Sequence, residues 1–310
     1  MSRVFTDIQS WTELACRAPR RHPPLPRAAF LVAPDALAWN PDSASDNLYM
    51  QGADAIDSER AQAQHRALHR ALAQDLPVVC FPGQAGQPDG VFPNNVFATA
   101  QTAQGPRLLV GNMRHPQRRL EAQRADIRRW FTELLGYALH DLGQRAGLSE
   151  LTGTLLIDRS RGLGIAGLGP RCDLAGAKTM SEGFGLHGCL AAPMADAEYH
   201  ANVVLALPGS RAAVIATAGW AQPTALCEAL ARLYGAQAVI ELDCAERRAF
   251  AGNCIALRDD RLWMSERAAD ALRSSTLARL EANRFRVGSV ALDEIEKAGG
   301  SLRCCVAEIF

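Results

Sequence analysis

Five short segments of this chain share one design, a turn-like opening followed by a strongly apolar run. They read FPNNVFAT, ELTGTLLI, YHANVVLAL, AGNCIALR and SLRCCVAEI. With Asn95, Glu150, His200, Asn253 and Cys304 as markers, the successive intervals are 55, 50, 53 and 51 residues. Recurrence at roughly 50 residues belongs to units that stack or radiate, and it narrows the fold more than any property of composition. Five units of strands plus a helix suit a closed, propeller-like ring. Equivalent positions in a ring converge on its axis, so a Glu, a His, a Cys and two Asn far apart in sequence would meet in one central pocket. The competing reading is that any long α/β chain yields intervals of this size by chance. The chemistry of the markers favours the ring.

Periodicity predicts strands at 28–33, 77–81, 95–99, 107–111, 154–158, 202–207, 212–216, 238–242, 254–257 and 261–265. It predicts helices at 56–74, 117–135, 223–234 and 266–283, the last capped by Ser265. Strands and helices alternate without a linker after about residue 27. The expected organisation is therefore an N-terminal arm over 1–27 and a single catalytic domain over 28–310.

Its 33 basic and 33 acidic side chains cancel, which argues against nucleic acid or an anionic membrane as partner and favours a small molecule. The longest apolar runs fall short of the roughly 18 residues a spanning helix needs. The N-terminal stretch mixes Asp7 and Glu13 with its arginines and lacks the continuous apolar core of a secretory signal. Nine cysteines without clustered spacing suit a reducing compartment, so the cytoplasm is the expected location. Homo-oligomerisation is left open.

Cys, His and Glu are the parts of a thiol nucleophile, its proton-transfer partner and an orienting carboxylate. Each also has a plainer reading: Cys304 as a small buried hydrophobe, His200 as a structural histidine, Glu150 as a solvated loop carboxylate. If the C-terminal segment is a strand tied at both edges, Cys304 and Cys305 face opposite sides and only one reaches a pocket. By the same alternation His200 and Asn202 share a face. GLGIAGLG at 162–169 has a dinucleotide-like glycine spacing but sits in an apolar run ended by Pro170, so a strand is expected instead. His65 and His69 stand one helical turn apart without a third ligand, which favours a solvated face, and no zinc motif occurs.

The ordered motifs PDGVFPNN, ELTGT, YHANV, FAGNCIAL and GGSLRCCVAEIF resemble those of the guanidine-modifying superfamily of arginine deiminases, dimethylarginine hydrolases and amidinotransferases, most closely its citrulline-utilisation hydrolase branch. The likeness runs from about residue 28 to the end. It implies a five-bladed α/β propeller, a hydrolase that needs neither cofactor nor metal, and an amino-acid substrate. It also implies roles by position: Cys304 as nucleophile, His200 as general acid/base and Glu150 as the carboxylate holding substrate nitrogens. Asp89 and Phe92 would contact substrate, while Arg118 and Arg171 would meet its carboxylate.

Two departures point to the substrate. Relatives that process guanidinium carry a carboxylate where this chain has Asn95, and deiminases carry another where it has Asn202. A buried guanidinium facing amides loses charge compensation. A ureido group needs both a donor and an acceptor, which an amide supplies. The expectation is hydrolysis of a ureido amino acid, citrulline above all, to ornithine, carbon dioxide and ammonia through a covalent thioenzyme. The alternatives are a deiminase or dimethylarginine-type hydrolase, and a non-catalytic propeller that binds a macromolecule. Leu151 stands where relatives carry Gly, which bears on the shape of the Glu150 loop.

Overall fold

The computed structural model describes residues 3–50, 55–196 and 198–310. The chain is a mixed α/β fold; among the described residues there are five separate sheets, and four of them are three-stranded. In every sheet the first strand of the unit runs antiparallel to the middle one, and the middle one pairs parallel with a third that returns after a longer connection. Phe97–Thr102, Gly105–Val110 and Ala138–Asp141 follow this rule. So do Leu205–Ala206, Ala213–Ala216 and Val239–Leu242, and Ile255–Arg258, Arg261–Ser265 and Arg286–Val290. Ala28–Val32 is the middle strand of a sheet whose first strand is the C-terminal Ala307–Ile309 and whose third is Val78–Phe81. The remaining sheet, Leu155–Asp158, Leu163–Leu168 and Gly188–Pro193, gains Arg3–Phe5 as a fourth, parallel strand.

The N-terminal residues are thus docked on the fold. Ile8–Arg17 is a helix capped by Asp7, and it buries Trp11 and Ala15 against the main apolar core. Met1 and Ser2, part of the expected arm, lie outside the described residues. No helix among the described residues is long and apolar enough to cross a membrane.

Several expectations need correction. The helix expected over 117–135 is three pieces, Pro116–Ala122, Ala125–Arg129 and a wide π turn at Trp130–Leu134. The break falls at Arg124, whose extended ψ of 101° ends the first helix and whose side chain bonds to Asp126 and to the Pro82 carbonyl. The helix expected over 266–283 divides into Glu266–Asp270 and Ser274–Ala282, with Ser265 capping the first as expected. Cys304 and Cys305 do not alternate across a strand, because Leu302–Cys305 is a tight helical turn and the strand begins at Ala307. Among the described residues that strand is laddered on one edge only; on the other, Thr99 Oγ1 donates to the Glu308 carbonyl at 3.1 Å. His65 is buried and does not lie on a solvated face. The glycine-rich 162–169 run is a strand over Leu163–Leu168, as expected.

Candidate active site

Each of the five markers sits on a short turn just before the first strand of its unit. Asn95 ends the turn Pro93–Asn95, Glu150 and His200 open the turns Leu151–Thr154 and Ala201–Val204, and Cys304 lies in Leu302–Cys305. The turns touch in cyclic order. Thr152 Oγ1 donates to the Asn94 carbonyl at 2.8 Å. Gly153 lies against both Asn95 and His200. Asn253 donates to the Asn202 carbonyl at 3.0 Å and to Cys304 Sγ at 3.3 Å. Gly300 packs on the Phe92 ring and closes the circle.

Inside the circle is a small cavity lined by Asp89, Phe92, Asn95, Arg118, Arg171, His200 and Cys304 among others. Seven of the nine sequence-predicted residues therefore face one space. Glu150 stands behind it, 0 % exposed, and its Oε2 holds His200 Nε2 at 2.8 Å. Asn202 approaches Cys304 Sγ at 3.9 Å but lines a different cavity. The shared-face expectation for His200 and Asn202 fails because the segment is a helical turn and not a strand.

The electrostatics follow from these contacts. Burial alone would raise the Glu150 carboxyl, but the Arg171 guanidinium, the His200 bond and Arg118 outweigh it and hold it well below the usual carboxylate range. Burial lowers the His200 imidazole although Glu150 opposes the shift, so the ring is neutral at neutral pH. Because Nε2 faces a carboxylate, the ring proton sits there and Nδ1 keeps its lone pair. Burial raises the Cys304 thiol, with hydrogen bonds from its surroundings, including Asn253, opposing. The resting pair is therefore thiol and neutral imidazole, and no hydrogen bond joins them among the described residues.

The arginines differ in what they can still bind. Arg171 is 2 % exposed, and all three of its nitrogens are committed, Nε and Nη2 to Asp46 and Nη1 to Glu150 at 3.2 Å. Arg118 binds Glu121 Oε2 through Nε at 3.0 Å and Nη2 at 2.7 Å, and Nη2 also reaches Asn95 Oδ1 at 3.0 Å. Its Nη1 has no partner among the described residues. An arginine only donates, so the Asn95 atom facing it is the amide oxygen, and the amide nitrogen is left to the cavity.

Residues not singled out from sequence complete the site. Asn40 and Ser43 donate to Asp89 Oδ2 at 2.7 and 2.5 Å, while Asp89 Oδ1 is buried without a partner. Asp46 grips Arg171, and Asn47 reaches the Gly299 carbonyl at 3.2 Å. These four come from one strap whose sequence, NPDSASDN, reads only as a polar turn; its density of small hydrogen-bonding side chains is the one available signal. Glu121, next to Arg118 on a helix face, is pushed by burial up to about 7 despite its arginine. Leu151 adopts a φ of 32°, the backbone region a glycine would favour, and its side chain is buried in an apolar cluster.

Gly153 gives a direct test of this packing. A Cβ there would stand 2.9 Å from Asn95 Cβ and 2.9 Å from His200 Cε1. Gly153→Ala should displace the imidazole and lower kcat by about 100-fold, the scale of an ångström-level misplacement, with folding cooperativity retained in a urea melt. Unchanged kcat would mean that His200 position does not govern turnover.

The sequence matches the N,N dimethylarginine dimethylhydrolase family, eukaryotic type, over residues 33–310. The chain belongs to this family. It is accordingly a hydrolase of the guanidine-modifying amidinotransferase superfamily, whose members act on non-peptide C–N bonds. Among solved structures it resembles the N-terminal domain of ArgZ bound to substrate, an arginine dihydrolase from Cyanobacteria, at 20 % identity and a TM-score of 0.77, over 91 % of this chain and 97 % of that one. Unliganded AgrE aligns at 21 % identity and a TM-score of 0.77, covering 91 % of this chain and 39 % of that one. A dimethylarginine dimethylaminohydrolase adduct with S-methyl-L-thiocitrulline aligns at 18 % identity and a TM-score of 0.67, over 92 % of this chain and 100 % of that one. At these identities the likeness concerns the fold. No curated protein matches the chain.

Proposed function

We propose that this family member cleaves the ureido C–N bond of citrulline, giving ornithine, carbon dioxide and ammonia. Residues 28–310 would form the catalytic domain, its five sheets the blades of a propeller whose axis passes through the circle of marker turns. The observation that carries the substrate reading is Asn95, whose amide oxygen is engaged by Arg118 so that its N–H₂ faces the cavity. A ureido oxygen needs such a donor, and the partnerless buried Asp89 Oδ1 offers an acceptor to the ureido nitrogens.

In this mechanism His200 Nδ1 takes the Cys304 proton as the sulfur attacks the ureido carbon. The carbon–Nδ bond breaks, the same proton goes to the departing amine, and ornithine leaves a carbamoyl thioester on Cys304. His200 then activates one water; carbamate leaves and decomposes to carbon dioxide and ammonia. The Asn95 amide stabilises the oxyanion in both steps. Arg118 Nη1 would receive the substrate carboxylate, whereas Arg171 holds Glu150 in place and Asn202 steadies the thiol.

A second reading is sequential hydrolysis of arginine through citrulline at the same site. It is favoured by the unsatisfied Asp89 oxygen and by the fold likeness to an arginine dihydrolase. A panel of citrulline, arginine and methylated arginines, read out as ornithine, separates the two. Citrulline alone giving ornithine supports the first, and arginine giving it in stoichiometric yield supports the second. Asn95→Asp should weaken citrulline turnover by on the order of 1 to 3 kcal/mol in transition-state binding and improve arginine affinity in competition. An arginine-to-citrulline ratio that stays flat would remove the ureido assignment.

A further inference from the structure

Arg159 lies outside the substrate cavity and among the described residues makes one hydrogen bond, from Nη1 to the Thr99 carbonyl at 3.1 Å. Nearby acids are engaged elsewhere: Glu308 pairs with Arg303 at 2.9 Å, and Asp158 with Arg161 at 2.7 Å. The guanidinium plane is fixed by stacking, with its Cζ 4.0 Å from the centroid of Phe310 and 5.3 Å from that of Phe184. What remains is the Nε–Nη2 edge, the fork that grips a carboxylate through two parallel bonds. Neither nitrogen is sealed off as a buried, partnerless atom. Burial pushes this guanidinium down to about 10, with Glu308 opposing the shift and Arg303 adding to it.

Arg159 lines two cavities, and the one walled by Phe184 and Phe310, the rings it stacks on, is suited to a ligand. This cavity has Leu25, Ile157, Phe184, Leu186 and Phe310 among its walls. Arg27, exposed and with no side-chain partner among the described residues, adds a second cation to the lining. This cavity and the substrate cavity have no lining residue in common. Apolar walls, two cations and an aromatic ring already stacked on one of them select an anion with a flat apolar body over a hydrophilic amino acid.

We propose that this cavity is a second binding site, distinct from the catalytic one, for an aromatic or similarly flat carboxylate held by the Arg159 fork. Ligand binding would place a carboxylate against the fork that Glu308, paired with Arg303, leaves open. Benzoate and its neutral isostere benzamide are the probes, titrated calorimetrically into the full chain. Benzoate should bind at least about tenfold more tightly than benzamide, the difference a charge-assisted pair makes. Arg159→Gln should remove that preference, and Cys304→Ser should leave it intact. Saturating citrulline should not displace benzoate. Equal binding of benzoate and benzamide to the wild-type protein overturns the proposal even if the Arg159 variant fails to fold. Displacement of benzoate by citrulline also overturns it, because the probe would then occupy the substrate cavity. Failure of the citrulline reading would leave these titrations unchanged.

Discussion

Cys304→Ser is expected to lower turnover by on the order of 10⁴-fold or more, the scale of losing a nucleophile, with the melt unchanged within experimental spread. Cys305→Ser should keep a substantial fraction of activity. The two sulfurs are adjacent and both buried, yet only Cys304 lines the substrate cavity, where Asn253 and Asn202 approach it at 3.3 and 3.9 Å. The Cys305 thiol is directed to the Ser301 carbonyl at 3.6 Å and is raised far by burial. A serine hydroxyl there can still donate to that carbonyl, so the cost falls on stability, about 1–3 kcal/mol. Alkylation offers a second measurement. Because burial raises the Cys304 thiol above the free-cysteine range, its labelling by iodoacetamide should be slow at neutral pH and accelerate on the alkaline side. Equal loss of turnover in the two serine variants, both folded, would leave the sulfur assignment without support.

The site was more legible in the sequence than the strands that carry it, for a physical reason. The marker turns each present one chemical group at one place in a repeated unit, so their spacing survives however the intervening chain folds. The parallel third strands carry no such mark. Ala138–Asp141 reads ALHD and is half exposed, which leaves neither alternation nor a continuous apolar run to detect. The turns themselves read as strand beginnings because apolar residues follow at once, as in Asn202 and the two valines after it. Side-chain direction changes with it, since residues two apart share a face in a strand and lie on opposite faces of a helical turn. The strap from Asn40 to Asn47 is not legible in the sequence because its partners, Asp89, Arg171 and Gly299, are 49, 125 and 252 positions distant. No local pattern encodes such pairings.

Glu150→Gln should lower kcat by roughly 10²- to 10⁴-fold, the contribution of a positioned acid/base, although Glu150 does not line the substrate cavity. The carboxylate fixes which imidazole nitrogen carries the proton, and an amide oxygen in its place holds the ring with a weaker, uncharged bond. It is also one of two anions balancing Arg171, the other being Asp46. Removing one partner of a buried pair costs about 3–5 kcal/mol when the charge left behind is uncompensated, and Asp46 should bring the loss to the lower end. The pH dependence distinguishes this account from a simple packing defect. Glu150 has its carboxyl held below the ordinary 4.5 in the folded protein and near that value when unfolded. Its stabilisation is therefore complete above about pH 4.5 and is lost as pH falls toward the depressed folded value. Gln has no such titration. The gap in unfolding free energy between wild type and variant, measured in urea, should be widest at neutral pH and should narrow steadily below pH 4.5. A gap of constant size down to pH 3 would mean that a charged Glu150 is not what joins Arg171 to His200.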